Sequence, residues 1–151
     1  MCNLKKFTKE EIESFMPQQH PYLFVEDAEI EGGEVRGSYT IKGDEFFLKG
    51  HFPNNPIFPA SVMLEALGQL AIVLLMRGEI DPSGKNANKE RIFFTSADGV
   101  RCMRICKPGD RLEMKVSAKR IRHPIGIFEG SIFVNGEKAA YAEKISLTFD
   151  F

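Results

Sequence analysis

Hydrophobic and polar positions alternate along most of the chain, and one stretch departs from that habit. From Val62 to Met76 the only residues that are not apolar are Glu65, Gly68 and Gln69. A helix apolar on all sides must be buried on all sides. A bilayer span needs about 20 apolar residues, and this run is shorter and interrupted. The pattern therefore predicts a central helix enclosed by protein, with Pro59 at its favoured first position. Upstream, Thr8 to Phe15 carries early acids and places Ile12 and Phe15 at helical spacing, which predicts a short helix ended by Pro17. Tyr22 to Ile30 begins apolar and then alternates, Gly32-Gly33 turns, and Glu34 to Ile41 alternates again as a hairpin partner. Lys42 to Pro59 reads as loop, rich in Gly, Pro and Asn.

Beyond the polar loop Asp81 to Lys89, almost everything reads as strand. Arg91 to Ile105 is long, with Gly99 as the expected bulge. Arg111 to Arg122 alternates through Leu112, Met114, Val116 and Ala118. Ile127 to Val134 and Lys138 to Phe149 flank Asn135-Gly136, the strongest short hairpin signal. The expectation is an α+β chain, with an antiparallel sheet of about five or six strands around one apolar helix. Such a sheet leaves open edges, and joining them in a two-fold dimer is the economical remedy.

Composition narrows this picture. A chain of 151 residues is expected to form a single domain over 1–151. Twenty basic and 21 acidic side chains leave a charge of −1, which argues against a dedicated nucleic-acid binder. That balance conceals a split: residues 1–84 carry a net −6, residues 85–122 a net +7, and residues 123–151 a net −2. Thirteen Phe and no Trp call for a thick apolar core or an apolar channel. Cys2, Cys102 and Cys106 are too few and too odd for a disulfide framework, so free thiols in a reducing compartment are expected. The charged N-terminus does not resemble a secretory signal, and a cytoplasmic protein is expected.

Glu65 lies in the middle of the apolar helix. Burial disfavours an ionised carboxylate, so its pKa is expected to rise. A carboxylic acid kept neutral near pH 7 is what a general acid needs. Gln69 follows one turn later on the same face, where it is expected to orient the carboxyl group. His20 and His123 precede prolines in turns, whereas His51 sits in Gly50-His51-Phe52-Pro53, just ahead of the helix. A histidine ordinarily titrates near neutrality and pairs naturally with a carboxylic acid as base and acid. The first amides of the helix, from Ala60 and Ser61 on, have no acceptor within it and form a donor site for developing negative charge.

Residues 50–71, GHFPNNPIFPASVMLEALGQLA, resemble the signature of the 3-hydroxyacyl-acyl-carrier-protein dehydratases of the FabZ type. That family's pattern is a GHFP loop, a Pro-x-x-Pro step, an acid fourteen residues after the His, and a Gln four later; His51, Glu65 and Gln69 match it. Pro21 to Val25 is similar to the family's PFLLV strand. Arg101, Pro108-Gly109-Asp110 and Gly126 to Gly130 are similar to later family positions. The resemblance implies a hotdog fold dimerised by edge pairing, with a site at the dimer interface built from the His of one chain and the Glu of the other. A trimer of dimers is common in the family. Related dehydratase-isomerases carry Asp at the acid position, so Glu65 favours the simple dehydratase. The implied reaction converts a (3R)-3-hydroxyacyl thioester on acyl carrier protein to the trans-2-enoyl form. His51 is the base, Glu65 the acid and the Ala60 amide the carbonyl-polarising donor. The resemblance implies no metal or redox cofactor, and the short, interrupted apolar run argues against a membrane partner.

The chain departs from the family in places. Ala60 stands where Gly is usual, Gln18-Gln19 where His-Arg is usual, and Ala97 and Cys102 where bulkier Ile and Phe are usual. The last two are expected to reshape the acyl tunnel. Acyl carrier protein is acidic, and the basic block offers Arg101, Arg104 and Lys107 as expected docking contacts. A solvated strand face accounts for the same block. The alternatives are a hotdog acyl thioesterase, a dehydratase of a specialised lipid or polyketide pathway, and a non-catalytic acyl-binding module.

Overall fold

Two polar side chains start the fold at its N-terminal end. Thr8 Oγ1 accepts from the Glu11 amide at 3.2 Å, and Glu11 Oε1 accepts from the Thr8 amide at 2.9 Å. This reciprocal cap opens helix α1 (Lys9–Phe15), which buries Ile12 and Phe15 as the spacing predicted. The computed structural model describes residues 3–151, so Cys2 lies outside the described residues.

Seven strands follow one another in a single antiparallel sheet: β1 (Lys5–Phe7), β2 (Asp27–Glu31), β3 (Glu34–Thr40), β4 (Phe93–Cys102), β5 (Arg111–Arg122), β6 (Ile125–Val134) and β7 (Glu137–Thr148). Their order across the sheet is β1-β2-β3-β5-β6-β7-β4. Strands β5, β6 and β7 form the expected meander, and the Asn135-Gly136 turn has both residues at positive φ.

Helix α2 (Ala60–Arg77) is the predicted central helix. Contrary to the sequence reading, its 18 residues are long and apolar enough for a membrane span, because the helix extends beyond the apolar run at both ends, yet the protein buries it: Ala66 to Met76 is buried throughout. Close packing on the sheet depends on small residues. A Cβ on Gly37 of β3 would lie 2.9 Å from Leu70 and 2.6 Å from the Asp27 carbonyl oxygen. A Cβ on Gly68 of α2 would lie 2.9 Å from the Phe94 ring of β4.

Three details differ from the sequence reading. The three-residue β1 is too short to show alternation, and it raises the strand count to seven. The segment from Tyr22 to Val25 is extended but lies outside the sheet, and β2 starts only at Asp27. Its polar groups are satisfied by a side chain of α2 instead of a neighbouring strand. The bulge in β4 falls at Thr95, between Phe94 and Ser96, where Thr95 Oγ1 donates to the Ser146 carbonyl at 3.0 Å. Gly99 keeps register; its φ of +62 and the Glu143 side chain beside it explain why a glycine stands there.

Candidate active site

The base candidate sits in a loop that leaves it little freedom. A short 3-10 turn, Phe46–Lys49, leads into the loop, and the His51 amide donates to the Leu48 carbonyl at 3.2 Å. The Ile57 amide donates back to the His51 carbonyl at 2.8 Å, and Phe52 and Asn55 exchange two backbone hydrogen bonds at 2.9 Å. The Phe58 amide donates to the Cys106 carbonyl at 2.8 Å, which ties the loop to the segment after β4. The Phe52 ring stacks on the imidazole at 4.2 Å.

His51 Nδ1 lies 2.8 Å from the Ile57 carbonyl oxygen. A carbonyl oxygen only accepts, so Nδ1 carries the proton and donates it there. In neutral imidazole this leaves the Nε2 lone pair free, the state a general base requires. Pro59 then turns the chain into α2, its carbonyl accepting from the Val62 and Met63 amides at 3.0 Å. No side chain caps this end. Ala60 and Ser61 are exposed and precede the first helical hydrogen bonds, so their amides are available to an anion.

Glu65 lies half-buried one turn into α2, and burial pushes its carboxyl above the usual carboxylate range. Gln69 is fully buried, with its amide fully engaged. Its Oε1 accepts from the Phe24 amide at 2.7 Å. Its Nε2 donates to the Tyr22 carbonyl and to Glu65 Oε2, both at 2.9 Å. The Gln69 hydrogen bond opposes the burial effect on Glu65 but does not overcome it. One amide thus orients the acid and fastens the segment 22–24 to the helix. The i, i+4 relation was legible in sequence; the link to Phe24 spans 45 residues and was not.

Replacing Gln69 by Leu removes three hydrogen bonds from a buried place. It is expected to cost about 3 kcal/mol of stability, mostly from the orphaned Phe24 amide. Urea unfolding measures this as a lower midpoint; an unchanged midpoint would show that the amide holds nothing.

Within one chain no hydrogen bond joins His51 to Glu65 among the described residues. The other expected positions scatter. Ala97 is half-buried within β4, and Cys102 is exposed at its end. Cys102 and Cys106 are free thiols, and burial pushes Cys106 up to about 11. Arg101 is exposed on β4 and shares a shallow depression of about 460 Å³ with Met103, Lys119 and Lys138. Lys107 is exposed. Arg104 is half-buried, and its guanidinium pairs with Asp110 at 3.9 Å and Glu137 at 3.4 Å. The Tyr22 carbonyl, which shares the Gln69 Nε2 donor with Glu65, was not singled out by the sequence.

The FabA-like domain family model matches residues 22–143. The 3-hydroxyacyl-[acyl-carrier-protein] dehydratase FabZ of Thermomicrobium roseum is 36% identical, covering 93% of this chain and 91% of that protein. The FabZ of Campylobacter lari is 32% identical, covering 93% and 96%. Among solved structures, the dehydratase heterocomplex ApeI:P of Xenorhabdus doucetiae superposes with a TM-score of 0.58 at 19% identity, covering 77% of this chain and 88% of that one. The fluoroacetyl-CoA thioesterase FlK reaches 0.61 at 10% identity, covering 79% and 86%. At such identities the structural likeness speaks for the fold alone.

Proposed function

The chain belongs to the FabA-like family and, within it, to the FabZ-type 3-hydroxyacyl-[acyl-carrier-protein] dehydratases, and from that membership we propose how its residues divide the work. His51 Nε2 takes a proton from C2 of a 3-hydroxyacyl thioester. The electron pair released passes toward the thioester carbonyl, whose developing charge is met by the Ala60 amide at the start of α2. Collapse of that enolate forms the C2–C3 double bond and breaks the C3–O bond. Glu65 protonates the departing oxygen, and a trans-2-enoyl thioester and water leave. The single observation that carries this reading is the 2.8 Å contact of His51 Nδ1 with the Ile57 carbonyl, which leaves Nε2 as the free basic nitrogen, and the upward shift of the buried Glu65 carboxyl agrees with it. A backbone carbonyl fixes the proton on His51 Nδ1, and burial keeps the Glu65 carboxyl protonated at higher pH than usual.

The two groups are proposed to meet across a homodimer. The sheet ends on β4, which pairs only with β7 among the described residues. That edge and the segment after it leave Phe93 70%, Met103 50% and Ile105 58% exposed. An open apolar edge of this kind favours pairing with a second copy.

Acyl carrier protein bearing the 3-hydroxyacyl chain is the proposed partner, and fatty-acid synthesis in the cytoplasm the proposed setting. Arg101, with Lys119 and Lys138 around the same depression, supports docking of an acidic carrier better than the ion-paired Arg104 does. Charge reversal at Arg101 and Lys119 together is expected to raise KM for carrier-bound substrate about tenfold, with a smaller effect on a short thioester analogue. Arg104→Ala is expected to leave that ratio alone. Equal effects of the double reversal on both substrates would remove the docking role.

Incubation with a 3-hydroxyacyl carrier thioester tests the whole reading. Formation of the enoyl thioester, followed by its absorbance, supports it. Release of free thiol would assign a thioesterase instead, and neither product would leave an acyl-binding module.

A further inference from the structure

The apolar surface next to the acid differs on its two sides. Toward the N-terminus of α2 stand Ala60 and Ser61, both exposed. Toward the C-terminus stand Gly68 and Gln69, three and four residues after Glu65 on the same face, and both are buried. Gln69 is fully engaged with Glu65 and the segment 22–24. Gly68 has no side chain, and the Phe94 ring of β4 takes that place. A Cβ on Gly68 would lie 2.9 Å from Phe94 Cε2 and 3.0 Å from Cδ2. Helix residues three apart have Cβ positions about 5–6 Å from each other, so the ring stands one helical turn from Glu65.

A local feature of β4 aims this ring. The bulge at Thr95 follows Phe94 directly, and bulges redirect the side chains beside them. Phe93 points to solvent, 70% exposed, while its neighbour Phe94 lies against α2. Phe94 is nevertheless only half-buried, unlike the sealed core rings of Phe24, Phe58 and Phe128. Part of it is left uncovered one turn from the acid.

We propose that Phe94 sets the acyl-length limit of this dehydratase. With C3 of the substrate at Glu65, the hydrocarbon tail runs inward over Gly68, and the Phe94 ring is the wall at which it stops. This rests on the reaction proposed above. The exposed end of α2 is where the thioester and its carrier remain in water, so the apolar tail takes the buried side. Each methylene covered along that path adds affinity. Once the ring is reached there is no room between it and Gly68, and further methylenes have to displace packed atoms.

Phe94→Ala removes the wall and leaves His51, Glu65 and Gln69 in place. The ratio of kcat/KM for a 3-hydroxypalmitoyl carrier thioester to that for a 3-hydroxybutyryl one is expected to rise about tenfold over wild type. Phe94→Leu keeps an apolar side chain at the site, which guards against a variant that fails to fold, and should move the ratio the same way by less. Gly68→Ala should lower the ratio, because its Cβ drives the ring into the path of the tail. A ring that only packs would slow both substrates alike and leave the ratio where it was. A wild type that dehydrates, with an unchanged or lowered ratio in the Phe94 variants or a raised one in Gly68→Ala, overturns the proposal alone. Absence of dehydration in the wild type at both chain lengths overturns the reading beneath it as well.

Discussion

Glu65→Gln is expected to abolish dehydration, lowering kcat at least about a thousandfold, while the protein folds as well as before. The glutamine keeps the shape of the side chain, and its carbonyl oxygen still accepts from Gln69 Nε2. What disappears is the proton that the departing oxygen needs. Stability moves the other way. Burial raises the Glu65 carboxyl above its unfolded value, so the folded state holds that proton more tightly. The stability this group contributes is fully present below the ordinary glutamate range. It is lost as pH rises from that range through the raised folded value. The glutamine variant lacks this loss and is expected to be at least as stable as wild type at pH 8, and more so relative to it than at pH 4. Urea midpoints at the two pH values measure it. A variant that is inactive because it is unfolded would contradict the account.

His51→Ala is expected to cost a similar factor, about a thousandfold in kcat, by a different route. It removes both the Nε2 base and the Nδ1 donor to Ile57. His51→Asn separates the two, since an asparagine amide can donate to the same carbonyl but cannot take the C2 proton. Both variants should be inactive, with Asn the more stable of the two. Exchange of the C2 hydrogen with deuterated solvent distinguishes base from acid. Glu65→Gln should retain slow exchange, because His51 is intact, and His51→Ala should lose it. The reverse pattern would exchange the two roles.

Much of this site was legible without coordinates because it is local in sequence. Glu65 is conspicuous as a lone acid in an apolar helix, and Gln69 lies one turn away on the same face. Strand β5 was readable to the residue, Arg111 to Arg122, because one face is buried and the other solvated along its first half. The misreadings have a common cause in distant partners. Tyr22 to Val25 has the composition of a strand, but Gln69 takes the Phe24 amide and donates to the Tyr22 carbonyl, which ties the segment to α2. Gly99 looked like a bulge, yet the extra residue is Thr95, where β4 adjusts to the register of β7.

Mixing two dead variants tests the shared site most directly. His51→Ala and Glu65→Gln are each inactive as homodimers. In a mixed dimer one site carries both substitutions, and the other recovers His51 from one chain and Glu65 from its partner. After unfolding and refolding together at equal amounts, half the dimers are mixed, each with one working site. The account predicts about one quarter of wild-type dehydration. A mixture that forms mixed dimers and yet stays inactive would contradict it.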